Sequence, residues 1–296
     1  MKRLIALIIV FTLLLCGCAN IENTKEKLSI VATNFSCYDF ARAVAGDSAD
    51  ITLLIPPGAD IHSFEPTALD IAKIKDSDLF IYVGGESDSW VEKLIRNLKK
   101  EDTAVLNLFD KLGLQHNHET DEHIWTSPEN AIKIVNLIRD NLNNINSANS
   151  KKYTANAEKY VSEIKNVGDS TKEIIAASEH RHLVIADRFP LKYFAEYYGL
   201  NVTAAFSACD HETDVPLNTA TTLIETVKSN NLAYIFVTES GSRDLAKIIA
   251  DNTGCEILTI HSVQSISAED LKNGVTYVSL MEQNAQSLRK GLTLCH

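Results

Sequence analysis

The chain has 296 residues, with 28 Lys and Arg against 39 Asp and Glu, a formal net charge of −11. That length fits two domains of ordinary size, and a composition of 45% hydrophobic and 23% charged residues excludes a chain disordered throughout. The acid surplus argues against a nucleic-acid partner, because neutralising phosphates takes clustered Lys and Arg.

The first eighteen residues, MKRLIALIIVFTLLLCGC, start with the basic pair Lys2 and Arg3 and continue in an apolar run from Leu4 to Leu15. A bilayer span takes about 20 apolar residues, so this shorter run has the proportions of a signal peptide. Its end, Leu15-Cys16-Gly17-Cys18, resembles the lipobox of bacterial lipoproteins, with Gly17 as the small residue before Cys18. Cys16 follows Leu15 and does not fit that register. The resemblance implies a signal over residues 1–18 and a lipid on Cys18. Diacylation there would hold the exported protein at the outer face of the bacterial cell membrane, since two buried chains anchor where one does not. A plain secretory signal is the alternative. Without Lys2 and Arg3 the net charge becomes −13. Residues 19–27 are polar and read as a tether.

From there, apolar runs of strand length alternate with helical patterns. The first half gives strands at Leu28–Thr33, Ile51–Ile55, Leu79–Val83 and Ala104–Leu108, with helices over Tyr38–Val44, Ala68–Lys75 and Trp90–Leu98. The second half gives strands at His182–Ala186, Val202–Phe206, Ala233–Thr238 and Ile257–Ile260, with helices over Leu191–Tyr198, Ala220–Ser229 and Arg243–Asn252. Buried strands alternating with helices form βα units and parallel sheets. The expected fold is therefore α/β, two similar lobes at residues 28–146 and 179–296.

Between the lobes the strand pattern stops. Ser127-Pro128-Glu129 reads as a helix start, with Ser at N-cap and Pro at N1. Ile132, Val135, Leu137 and Ile138 give that helix an apolar face, and Asn143–Ser150 breaks it. A second, long helix follows within residues 147–178. Its expected buried positions are Tyr153, Ala157, Tyr160, Val161, Ile164, Val167, Thr171 and Ile174, in near-heptad spacing. It would serve as a rigid spine between the lobes.

Four cysteines remain beyond Cys18: Cys37, Cys209, Cys255 and Cys295. Their spacing fits no zinc ribbon; an exported chain could pair them in any of three ways, or leave them as buried thiols. Among nine histidines, His62 and His261 follow strands, and His123 sits just before the capped helix. Ligands of open α/β sheets bind beyond the carboxyl ends of strands. Two histidines from one lobe and one from the other could close a metal site across a cleft. Imidazole is the commonest neutral metal ligand.

The segments IPPGADIHSFEPTALDIAKIKDSDLFIYVG, DEHIWTSPENA, KYFAEYYGL and TYVSLMEQNAQSLRKGL resemble the metal-binding receptors of bacterial ABC importers for zinc and manganese. The likeness runs in order along nearly the whole mature chain. It implies two α/β lobes bridged by one long helix, with a metal ion in the cleft. It also implies that His62 and His123 are the first two ligands. The family's third ligand is a His or Glu before an aromatic YF motif. Here VIADRFPLKYF supplies only Asp187. The family's fourth, commonly acidic, falls on His261. Cys209 and Glu212, in AAFSACDHETD, are alternates to Asp187. Glu65 is expected to orient the loop or to support a ligand histidine by hydrogen bonding, with Glu239 a further candidate for that role. His116 and His118 occupy the place of the family's His-rich loop, which gathers metal near the mouth.

The resemblance thus implies a binding protein, not an enzyme: a monomeric receptor that captures Zn2+, or less favourably Mn2+, and passes it to an ABC importer permease. Three imidazoles favour zinc, since manganese suits oxygen-rich sites. The alternative of another class is a secreted zinc hydrolase, but the sequence has no HExxH and no GxSxG.

Overall fold

The computed structural model describes residues 27–96, 103–114, 121–208 and 217–294. Cys18, His116, His118, Cys209, Glu212 and Cys295 lie outside these described residues.

All eight expected strands are present. β1 (Leu28–Ala32), β2 (Ala49–Leu53), β3 (Leu79–Tyr82) and β4 (Ala104–Asn107) form one sheet in the order β2-β1-β3-β4. β5 (His182–Phe189), β6 (Asn201–Ser207), β7 (Tyr234–Thr238) and β8 (Glu256–Ile260) form a second in the order β6-β5-β7-β8. Every strand pairing in both sheets is parallel, and the two orders are equivalent, so the halves repeat one topology. All four residues of β3 are buried, as expected for a strand covered on both faces. β5 runs three residues past Ala186, through a shift of register between Ile185 and Arg188.

In the first half, α1 (Phe35–Ala45) follows β1, and α2 (Ala68–Lys75) and α3 (Ser89–Ile95) flank β3 in sequence. Asn34 caps α1 by accepting from Cys37 N at 3.0 Å, and Thr67 with Asp70 closes a capping box on α2. The short α4 (Leu108–Lys111) ends the sheet region. Then α5 (Pro128–Ile145) begins with Ser127 at its N-cap, although no cap bond from the Ser127 side chain forms. α5 buries Ala131, Ile134, Val135, Ile138 and Leu142. Ile132 and Leu137 are only half-buried.

The spine is α6 (Ser150–Ala176), 27 residues or about 40 Å at 1.5 Å per residue. Tyr153, Ala157, Tyr160, Ile164, Val167 and Thr171 face inward as expected, but Val161 is only half-buried and the last buried position is Ile175 rather than Ile174. A helix of 3.6 residues per turn drifts against a 3.5 repeat, so the step after Thr171 lengthens to four. Each fully buried Ile there contributes about 1.5–3 kcal/mol. Gly168 also faces inward: a Cβ at that position would sit 3.3 Å from Pro128 Cβ, so α5 and α6 approach closely.

The second half continues with α7 (Lys192–Tyr198), α8 (Leu217–Ser229), α9 (Asp244–Thr253), α10 (Ala268–Lys272) and α11 (Tyr277–Gly291). α6 packs against α1 and α5 of the first half and α11 of the second. One continuous core includes Ile30 and Phe40 of the first half, Ile164 of the spine, and Phe236 and Tyr277 of the second. Cys37 is a buried free thiol, so a scheme that pairs all four cysteines fails. Cys255 is buried and its Sγ accepts from Thr253 Oγ1 at 3.1 Å.

Candidate metal centre

Both sheets aim the carboxyl ends of their strands at a cleft of about 810 Å3. His62, Asp187, Arg188, Glu239, His261 and Gln264 are among the residues lining it. Each comes from a loop or strand end, where a doubly wound sheet leaves its binding crevice.

His62 sits in a 3-10 turn, Ile61–Ser63, started by Asp60, whose carboxylate accepts from His62 N at 3.0 Å. Its Nδ1 lies 2.7 Å from Ser87 Oγ and 3.1 Å from Glu122 Oε1. Ser87 in turn donates from its backbone N to Glu122 Oε2 at 3.2 Å and from its hydroxyl to Glu122 Oε1. Glu122 reaches this position because Gly85, at φ +118°, has no side chain. A Cβ there would meet Glu122 Oε2 at 2.5 Å.

His123 is fully buried. Asp121 Oδ1 accepts from both its backbone N and its Nδ1, each at 2.8 Å, and its Nε2 meets Gln264 Oε1 at 2.8 Å. The His62 and His123 ring centroids are 5.5 Å apart. In both histidines a carboxylate holds Nδ1, which leaves Nε2 as the nitrogen for an ion. Such carboxylate–imidazole pairs fix the ring and raise its basicity.

Burial works against ionising these groups, but their mutual contacts prevail. Hydrogen bonds and charge from His123 hold the Asp121 carboxyl below its ordinary range. Bonds from His62 and Ser87 do the same for Glu122. His123 itself is raised, burial being outweighed by Asp121 and then Glu122. Asp88, which accepts from Val83 N and Gly84 N at 3.0 Å each, is raised to about 7 by burial, with the Glu122 charge adding.

The second half contributes more loosely. Asp187 falls where β5 shifts register, a place where irregular strands re-aim a side chain. Its carboxylate accepts from Thr238 Oγ1. His261 is fixed through its backbone: its N donates to Asn284 Oδ1 at 2.7 Å, and its carbonyl accepts from Asn284 Nδ2 at 2.8 Å. Glu239 accepts from Ser262 N at 2.9 Å and from the Ser262 hydroxyl, which steadies the loop beside His261.

The structure therefore brings His62 and His123 together and lines the same cleft with Asp187 and His261. Among the described residues, no three His, Cys, Asp or Glu side chains converge tightly enough to hold one ion. Asp187 is engaged by Thr238 and His123 by Gln264, so closing a four-ligand shell requires these side chains to turn. The hydrogen bond expected of Glu65 is corrected. Glu65 is exposed, and the carboxylate that supports His62 is that of Glu122. The physical reason is position: Glu65 lies past the 3-10 turn, whereas the loop carrying Glu122 packs against Gly85 and Ser87. Asp121 and Glu122 directly precede His123, which was the available signal for them. Nothing in the sequence marks Gln264, 141 residues from its partner.

A profile of the family described as zinc-uptake complex component A, periplasmic (ZnuA), matches residues 30–291. The chain is 31% identical to the zinc-binding lipoprotein AdcA of Streptococcus pneumoniae over 94% of this chain. It spans 58% of that relative's length. It is 26% identical to the high-affinity zinc uptake system protein ZnuA of Bacillus subtilis, over 95% of this chain and 94% of the other. Its fold is similar to the crystal structure of the Zn(II)-bound ZnuA-like domain of S. pneumoniae AdcA. That likeness has a TM-score of 0.79 at 32% identity and covers 90% of this chain and 99% of the other.

Proposed function

The chain belongs to the family of zinc-uptake complex component A, and from that membership we propose that it is an extracytoplasmic receptor that captures Zn2+ and delivers it to an ABC permease. The ion is its cargo. His62, His123, His261 and Asp187 would supply three imidazoles and one carboxylate from the two lobes, a set that favours zinc over manganese. A lipid on Cys18 would keep the receptor beside its transporter. His116 and His118 would gather metal at the mouth.

The observation that carries this reading is the His62–His123 pair. With Zn–N near 2.0 Å, a ring centroid lies about 3.2 Å from the ion, and two such rings at the tetrahedral angle stand about 5.2 Å apart. The pair stands at 5.5 Å, with both Nδ1 atoms already held by carboxylates. The hydrolase alternative draws no support from the comparisons, whose relatives are named for zinc binding and zinc uptake.

Calorimetric titration of the metal-free protein tests the proposal. One Zn2+ should bind per chain, more tightly than Mn2+, and His62→Ala and His123→Ala should each weaken zinc by at least tenfold. Unaltered affinity in both variants refutes the site. For the anchor, mass spectrometry of the membrane fraction should find a diacylated Cys18, and Cys18→Ala should release the protein.

A further inference from the structure

A metal ion takes the lone pair of an imidazole nitrogen, and the only ring nitrogen of His123 that Asp121 leaves over is already in a 2.8 Å hydrogen bond to Gln264 Oε1. His123 has no exposed surface of its own, and the side chain lining the cleft at this point is that of Gln264. An arriving ion therefore meets the carboxamide before it meets the imidazole.

The backbone carrying Gln264 has little freedom to move aside. Three successive carbonyls of the second lobe accept hydrogen bonds from the first. Ser262 O accepts from Trp125 Nε1 at 2.9 Å, Val263 O from Ser36 Oγ, and Gln264 O from Phe35 N at 3.1 Å. On the other side Ser262 N is held by Glu239, and Ser265 Oγ accepts from Gly58 N at 3.1 Å. Between these ties Val263 sits at φ +59°, a left-handed conformation that a β-branched residue adopts only when its surroundings impose it. The strap is fixed at every residue from Ser262 to Ser265. What remains free to turn is the Gln264 side chain, with the cleft in front of it.

We infer that Gln264 is a gate. In the metal-free receptor its carboxamide occupies the metal-binding nitrogen of His123, and it must swing into the cleft before zinc can bind there. This rests on the reading of His123 as a ligand. The gate is a positioning device: it lowers apparent affinity by the fraction of receptors that are closed, and it makes opening a step that precedes capture.

Stopped-flow mixing with Zn2+ tests this, followed by Trp125 fluorescence in a Trp90→Phe background. The Trp125 and His123 ring centroids lie 5.2 Å apart, so that indole reports on the histidine. Breaking one hydrogen bond and turning one side chain is fast on this timescale, so the observed rate should rise linearly with zinc in both proteins. In Gln264→Ala the slope should be about fivefold steeper and the equilibrium affinity about fivefold tighter, the worth of one hydrogen bond. The side-chain 15N signal of His123 Nε2 in the metal-free protein should move in the same variant. Weaker zinc binding by Gln264→Ala would make the residue a ligand and overturn the gate, as would unchanged rates and affinity. His123→Ala separates the two claims. If it leaves zinc affinity intact, the site assignment fails and the gate with it. If it abolishes tight binding while Gln264→Ala changes nothing, the gate alone fails.

Discussion

Replacing Asp39 should unlock the joint between the lobes and the spine. This carboxylate is 1% exposed and lies on α1. It accepts from the Tyr160 hydroxyl on α6, from Tyr277 N at the start of α11 at 2.8 Å, and from the Arg42 guanidinium, with Nε at 3.2 Å. Burial and the Asp39 charge push the Tyr160 hydroxyl far above its ordinary range, so it stays a donor. Asp39→Ala leaves two buried donors without an acceptor, each worth about 1–3 kcal/mol, and removes the partner of Arg42. Arg42 is 37% exposed, so water screens most of its share. The combined loss should be about 4 kcal/mol, within the range for breaking a buried charged network. For a protein of this size that lowers the melting temperature by about 10 °C. Asp39→Asn keeps an acceptor and should lose about 1–2 kcal/mol. Tyr160→Phe removes one donor, and in combination with Asp39→Ala it should cost less than the sum of the two. Thermal unfolding followed by circular dichroism reads all four variants against the parent. An Asp39→Ala variant that melts within 2 °C of the parent (roughly the shift of half a kcal/mol) refutes the joint.

Two further outcomes follow from single contacts. Asp88 ionises at about 7 in the folded chain against 3.8 as its ordinary value, so between these pH values the folded state holds a proton that the unfolded state has lost. Stability from this group is present below the ordinary value and falls as pH rises to 7, by about 4 kcal/mol at most. Asp88→Asn keeps the acceptor for Val83 N and Gly84 N. The difference in urea midpoint between variant and parent should therefore grow in favour of the variant from pH 5 to pH 7, and a pH-independent difference contradicts it. Asp187 is the one carboxylate of the proposed shell, held by Thr238 in the metal-free protein. Asp187→Ala should cut zinc affinity roughly 10–100-fold while the fold survives. Unchanged affinity by calorimetry removes Asp187 from the site.

The sheets were legible because their strands are short apolar runs buried on both faces, and such runs bounded by helical patterns admit few other readings. β5 is the exception. Asp187 and Arg188 read as a loop, whereas the strand continues through a register shift to Phe189, and Pro190 ends it. α11 carries Tyr277, Leu280, Met281 and Leu288 at helical spacing with a Thr276 capping box, a helix outside the expected set. In the candidate site, the meeting of His62 and His123 was legible from motif and position. Their carboxylate partners were half legible, since Asp121 and Glu122 adjoin His123 but look like members of an acidic loop. Asn284 and Gln264 were not legible at all. Their partners are set by how α11 and the strap after β8 dock, and no local pattern encodes that.

The two ties between the lobes also bear on how an ion can enter. One is the Asp39 joint, where α1, α6 and α11 meet. The other is the strap of carbonyls from Ser262 to Gln264 against Phe35, Ser36 and Trp125. Tyr277 connects them, because its backbone N donates to Asp39 and its hydroxyl donates to Trp125 O at 3.0 Å. A hinge that opened the lobes widely would break both ties at once and expose part of the apolar core that the two halves share. Each hydrogen bond exchanged for water costs about 0.5–1.5 kcal/mol, more in sum than side-chain rotation at the cleft. The cheaper motion is therefore local. The histidines of the first lobe are already oriented by their carboxylates, and Gln264 and Asp187 have only a hydrogen bond each to exchange before the proposed shell could close.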